Sequence, residues 1–301
     1  MLDARKGEAL LAVIDSGSFE QAAVRLHVTP SAVSQRVSAM ESEHGMPLII
    51  RSKPCRATAA GHRLVQYLRR ARLLEDEFIA DSGEGGARPL SVALAVNNDT
   101  LATWLLPGLA AFLIREHILL DILLDDQDHT YTLLSQGLAL AGVSSHAEPM
   151  RGCEVQLLGA MRYHLLASPT FARSWFPDGL QREAARVAPL MVFDRKDTLQ
   201  SNFLLRELGL APGSYPCHYM PASEAFAHAL RLGLGYGMIP EQQYGRDVEQ
   251  GVLVDLAPDK PTDVMLYWHA WRVQSPKLER LSAQVIAAAR SVLRQPGSDL
   301  I

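Results

Sequence analysis

Four residues in one short stretch carry the first recognisable chemistry. In "VTPSAVSQRVSAMESEHG" (28–45), Ser31, Ser34, Gln35 and Ser38 stand at i, i+3, i+4 and i+7. On a helix this spacing places three hydroxyls and an amide on one face. Val33, Val37 and Met40 form the opposite face, and no carboxylate interrupts the polar one before Glu41. Small hydroxyls and an amide can approach base edges and phosphates without charge repulsion. Glutamine bonds adenine in the major groove, and serine donates or accepts. Arg36 flanks the face. By itself such a face is equally a solvated helix surface, so its neighbours decide what it is for.

The neighbouring residues predict three short helices. The first carries Leu10, Val13 and Ile14 on one side. The second starts after Gly17 with Ser18 as N-cap and repeats Phe19, Ala22, Ala23 and Leu26 at helical spacing. The third starts at Thr29, an N-cap, with Pro30 at the first helical position, where its missing N–H costs nothing. Gly45 is its stop. Two short helices joined by a tight turn, the second polar outside, describe a helix-turn-helix. "PLII" (47–50) and "CRAT" (55–58) then read as a two-stranded wing. Arg51, Lys53 and Arg56 on it suit phosphates.

Thr58 caps a longer helix of about 59–80, in which Leu64, Tyr67, Ala71, Leu74 and Phe78 recur at spacings of three and four. That is a coiled-coil-like seam and reads as dimerising, although packing against its own domain would give the same pattern. "DSGEGGARP" (81–89) has almost nothing to bury and reads as a hinge.

Charge separates the head from the body. Residues 1–72 hold 11 Lys and Arg against 6 Asp and Glu, whereas the whole chain of 301 residues carries −4. A basic head on an acidic body points to a polyanion partner for the head alone, and with the helix-turn-helix and basic wing that partner reads as double-stranded DNA. The chain is 48% apolar, enough for two or three domains. No apolar run reaches the ~20 residues of a membrane span and no secretion signal is visible. Cys55, Cys153 and Cys217 are far apart, as in a reduced, cytoplasmic protein.

Beyond residue 89 short apolar runs alternate with helical patterns: 90–96, 118–124, 138–143, 163–167, 190–193, 236–240 and 264–268. This predicts α/β layering with mainly parallel sheets, in two lobes flanking a cleft. Ligands in open α/β sheets bind beyond the carboxyl ends of strands. There the sequence places Asn98, Asp99 and Thr100; Asp126 and Asp128; Ser144 and Ser145; Asp194; and, opening a later helix, Ser223 and Glu224. Carboxylates suit an ammonium or cationic side chain, and hydroxyls at helix starts suit a carboxylate. A basic amino acid is therefore a reasonable ligand.

Enzyme signatures are missing. There is no G-x-S-x-G and no HExxH. "GLGYG" (233–237) leads into a strand, the reverse of a dinucleotide loop. "DDQDH" (125–129) reads as a polar loop rather than a metal site, so no metal or cofactor is expected.

Taken together, "GSFEQAAVRLHVTPSAVSQRVSAMESEHGMPLIIR" followed by "TAAG" resembles the winged helix-turn-helix of LysR-type transcriptional regulators. "LAVNNDTLATWLLPGLA", "DDQDHT", "AGVSS", "PCHYMPASEAF" and "MLYWH" are similar to one subgroup, the arginine- and lysine-responsive regulators of basic amino-acid export, also described as chromosome-initiation inhibitors. The resemblance implies a DNA-binding domain (1–58), a dimerisation helix (59–80), a hinge (81–89) and an effector domain of the periplasmic-binding-protein type (90–301). Its lobes would be about 90–162 with 264–301, and about 163–263. It implies DNA contacts by Thr29, Pro30, Ser31, Ser34, Gln35 and Arg36, with Arg51, Lys53, Arg56 and Thr58 on the wing side. It also implies a homodimer or homotetramer that senses lysine or arginine and acts on RNA polymerase. Cys55 departs from the subgroup, which often has proline there.

Overall fold

The structure, a computed structural model, describes residues 3–81, 89–124, 130–149 and 152–295. The chain divides into two compact units, residues 1–93 with 118–121 and 132–140, and residues 94–117 with 122–131 and 141–301.

The first unit opens with helices α1 (Ala4–Ser16), α2 (Phe19–Arg25) and α3 (Pro30–His44). Each start is capped by a side chain: Asp3 accepts from the amides of Arg5 and Lys6, Ser18 from Gln21, and Thr29 from Ala32. Gly45, at φ 66°, ends α3 in the left-handed conformation that glycine adopts without penalty. Leu10, Val13, Ala22, Ala23, Val33, Val37 and Met40 form one buried core with Val65. Complete burial of each larger aliphatic contributes about 1.5–3 kcal/mol. The wing is β1 (Ile49–Ile50) paired antiparallel with β2 (Arg56–Ala57).

Helix α4 (Ala59–Asp81) follows. It can approach the wing only because residue 61 is glycine, since a Cβ there would lie 2.0 Å from the Leu48 carbonyl oxygen. The expected seam splits. Leu64 packs with Val65 and Leu68 on the N-terminal core, so it serves its own domain. Ala71 is half-buried, whereas Tyr67 (50% exposed), Leu74 (48%) and Phe78 (75%) present an apolar stripe to solvent.

Next come β3 (Leu90–Val96), α5 (Asn98–Thr100), a π-helical turn (Leu101–Leu105), α6 (Leu106–Glu116), β4 (Ile118–Leu124), α7 (Thr130–Ser135) and β5 (Ala141–Ser144). The long strand β6 (Cys153–Ala167) leads to α8 (Pro169–Trp175), α9 (Arg182–Val187), β7 (Leu190–Val192), α10 (Leu199–Leu208) and β8 (Cys217–Tyr219). The chain continues with α11 (Ser223–Arg231), β9 (Tyr236–Pro240), α12 (Glu241–Tyr244), β10 (Val254–Asp255), β11 (Thr262–Trp271) and α13 (Pro276–Val292).

These strands form one sheet in the order β4-β3-β5-β11-β6-β9-β7-β8, with β10 also on β6. The pairs β3/β5, β7/β8 and β7/β9 are parallel. The pairs β5/β11, β11/β6, β6/β9 and β6/β10 are antiparallel. The sheet is therefore mixed, which corrects the mainly parallel arrangement expected from sequence. The physical reason is β6 and β11, which run side by side from Thr262 opposite Tyr163 to Trp271 opposite Cys153. Trp104, Trp268 and Trp271 are buried in the core.

Candidate nucleic-acid interface and ligand cleft

On α3, Ser31 and Gln35 are exposed, as are Thr29 and Pro30 at its start; Ser34 and Arg36 are half-buried. The next carboxylate along the helix, Glu41, is turned away from this face into the wing. Its Oε1 accepts from the amides of Leu48 (2.8 Å) and Ile49 (3.2 Å). Arg51 is exposed but held: its guanidinium donates to the Ser38 hydroxyl (3.1 Å), lies 3.7 Å from Glu41 and sits 5.2 Å over the Phe19 ring. Ser38 is thus tied to the wing rather than open on the reading face. Lys53 and Arg56 are exposed. Thr58 donates to the Pro47 carbonyl (2.8 Å) and accepts from the Gly61 amide (3.0 Å), so its hydroxyl fixes the start of α4.

The second unit holds an open cleft. The loop after β3 brings Asn97, Asn98 and Asp99 to it, β6 brings Tyr163, and α11 brings Ser223. Asp197 and Gln243 also line it, and Phe193, Leu199, Phe226, Met238 and Ile239 supply apolar wall. In its wall Asp99 accepts from the Tyr163 hydroxyl at Oδ2 (2.8 Å) and from the Ser223 hydroxyl at Oδ1. Withdrawal from water pushes the Asp99 carboxyl above the usual carboxylate range, against the opposing effect of the Ser223 and Tyr163 hydrogen bonds. Asp197 is partly committed to the backbone, accepting from Phe193 N (3.2 Å) and Leu199 N (2.9 Å). Among the described residues no Lys, Arg or His lines the cleft.

Gln200 and Gln243 brace the walls. The buried Gln200 side chain accepts from Met238 N (2.8 Å) and donates to Met238 O (3.3 Å), fixing β9. Gln243 donates to the Ser223 carbonyl (2.6 Å), fixing the start of α11.

Of the ligand residues expected from sequence, Asn98, Asp99 and Ser223 line the cleft. The others are placed elsewhere, for identifiable reasons. Thr100 is buried beneath the Asn97 cap, its amide donating to Asn97 Oδ1 (2.9 Å). Ser144 is buried and accepts from the His146 amide (3.2 Å); Ser145, which follows it, is half-buried outside the lining. Asp194 closes a turn by accepting from the amides of Lys196 (2.7 Å) and Asp197 (3.0 Å). Glu224 is exposed outside the lining. Asp126 and Asp128 lie outside the described residues. Sequence reasoning missed Asn97, Tyr163, Asp197 and Gln243. Asn97 alone had a visible signal, as an N-cap type directly before the expected residues.

A winged helix-turn-helix followed by a mixed α/β domain with a polar cleft defines a class. Residues 5–62 match the bacterial regulatory helix-turn-helix proteins of the lysR family, and residues 85–290 match the LysR substrate binding domain. The chain belongs to the LysR family: it is a transcriptional regulator that binds DNA, and not an enzyme. Within the family it is 42% identical to the HTH-type transcriptional regulator ArgP of Aeromonas salmonicida, over 96% of this chain and 97% of that one. It superposes on the crystal structure of ArgP from Mycobacterium tuberculosis with a TM-score of 0.84 at 39% identity, covering 98% of this chain and 100% of the other. Full-length LysG from Corynebacterium glutamicum with bound effector Arg gives a TM-score of 0.78 at 35% identity, covering 97% and 100%. Among the described residues no helix is long and apolar enough to cross a membrane.

Proposed function

We propose that this regulator senses a basic amino acid, arginine or lysine, in the cleft of its second unit and controls genes of basic amino-acid export. The observation that carries the reading is the composition of the lining: Asp99 and Asp197 contribute two carboxylates, and no Lys, Arg or His is among the lining residues. Carboxylates withdrawn from water in the wall of a cleft favour a cationic guest, because charge-assisted hydrogen bonds strengthen as water is excluded. The LysG structure with bound Arg supports the same choice.

In this reading Asn98, Asp99 and Ser223, with Asn97, Tyr163, Asp197 and Gln243, hold the ligand. Thr29, Pro30, Ser31, Ser34, Gln35 and Arg36 face the DNA, and Lys53 and Arg56 meet phosphates. The division into a reading head (1–58), a long helix (59–80), a linking segment (81–89), of which 82–88 lie outside the described residues, and an effector domain (90–301) assigns the exposed stripe of Tyr67, Leu74 and Phe78 to the partner helix of a homo-oligomer. Ligand binding then changes how the oligomer presents its heads, and so the recruitment of RNA polymerase. A coupling of ~1–3 kcal/mol between ligand and DNA suffices. Calorimetry of the full-length protein tests the reading. Arginine or lysine should release or absorb heat with saturation, and glutamate should not; silence with both basic amino acids refutes it.

A further inference from the structure

We propose that Tyr163 and Ser223 are positioning residues that present Asp99 to the ammonium of the ligand, so that effector binding weakens on acidification. The inference deepens the basic-amino-acid reading and rests on it.

The geometry is specific. Tyr163 comes from the centre of the sheet on β6 and Ser223 from the start of α11, 124 positions from Asp99 in sequence. Each donates to a different oxygen of the same carboxylate. A carboxylate offers about four acceptor sites. Two hydroxyls therefore fix its orientation and leave acceptor capacity for a guest. They also leave its charge intact, whereas an arginine partner would neutralise it. The Tyr163 ring is itself fixed, being buried, with its hydroxyl 3.2 Å from the Met161 sulfur. The start of α11 is fixed by the Gln243 bond to the Ser223 carbonyl.

The groups facing Asp99 are the phenol of Tyr163 from β6 and the hydroxyl of Ser223 from α11. Along the cleft lie Asp197, ahead of α10, and the uncharged Gln243. No cation among the lining residues helps the carboxyl to ionise. Burial drives it towards the neutral acid and the two hydroxyl bonds oppose this. A neutral acid loses the ion pair with an ammonium. Affinity should therefore fall as pH drops through the raised Asp99 titration, by up to about tenfold per pH unit. Removing either hydroxyl removes an opposing bond, so the fall should begin at higher pH.

The test uses the full-length protein, L-arginine and the variants Tyr163→Phe and Ser223→Ala, with affinities measured from about pH 5 to about pH 8. In parallel, carboxyl-carbon NMR on aspartate-labelled, unliganded protein follows Asp99, its signal assigned by loss in Asp99→Asn. The expected result is a binding curve that, scaled to each variant's own alkaline plateau, bends at higher pH in both variants, with the NMR midpoint moving the same way. Parallel curves displaced equally at every pH, or an unmoved Asp99 midpoint, overturn the proposal. So does an NMR midpoint that moves while the binding curves stay put. Failure of wild type to bind arginine or lysine would defeat the basic-amino-acid reading, and the unliganded NMR titration would still decide the role of the two hydroxyls.

Discussion

Glu41 offers a sharp perturbation because one side chain holds the wing and frees the reading face. Its Oε1 accepts from the amides of Leu48 and Ile49, both buried, and its other oxygen faces Arg51 at 3.7 Å. Glu41→Ala leaves two buried N–H groups without their acceptor. Such orphaned donors cost about 1–3 kcal/mol each, and relaxation of the short wing should hold the total to ~2–4 kcal/mol. The half-exposed Arg51 contact adds little. Glu41→Gln keeps an oxygen in place but loses charge assistance, so it should cost roughly half as much. Hydrogen exchange of the full-length protein reads this locally. Amides of residues 48–49 should exchange on the order of 30- to 1,000-fold faster in Glu41→Ala, since each ~1.4 kcal/mol is a factor of ten. Glu41→Gln should lie between that and wild type, and the amides of β6 should not change. Wild-type exchange at Leu48 and Ile49 in Glu41→Ala would refute the argument that this carboxylate anchors the wing.

Other outcomes follow from the same geometry. Gln35→Ala should reduce discrimination between operator and mismatched DNA by about 1–3 kcal/mol, whereas Lys53→Ala should weaken all sequences alike and lower the salt slope by ~1; anisotropy titrations across salt concentrations separate the two, and identical profiles would contradict the division. Phe78→Asp places a charge on the exposed stripe of α4 and should shift sedimentation towards smaller species at micromolar concentration; an unchanged distribution would remove the stripe from the assembly. Gln200→Ala should lower the effector-domain melting transition through loss of ~1–3 kcal/mol at the buried Met238 backbone, and an unshifted transition would show that β9 needs no such brace.

The reading head was legible almost residue by residue because its signals are local. Ser18, Thr29, Pro30 and Gly45 each act within one turn of helix, and the structure uses each where the sequence puts it. The turning of Glu41 towards the wing was not legible, since it depends on backbone amides seven and eight positions away. In the effector domain the short apolar strands stood out. β6 did not: only 163–167 reads as an apolar run, while "CEVQL" alternates and Gly159 and Arg162 interrupt the pattern. The cleft was half legible. Asn98 and Asp99 follow a strand and Ser223 opens a helix, as general rules require. Asp194 and Glu224 satisfy the same rules and lie outside the lining, because capping and ligand binding demand the same residue types. Tyr163, inside a strand, carries no local mark at all.

The fifteen residues of β6 extend about 50 Å at the usual rise of a strand. Along that length they bond β11, β9 and β10, and the backbone of Arg294 near the C-terminus is stitched to Ala160 at mid-strand. Both halves of the sheet therefore share one unbroken cord of peptide, with no slack loop between them at this point. Midway along it, beside Gly159, β11 slips register between Leu266 and Tyr267, the one irregularity in this pairing. On the basic-amino-acid reading proposed above, a guest held by Asp99 would act directly beside this strand, since Tyr163 on β6 donates to the Asp99 carboxylate.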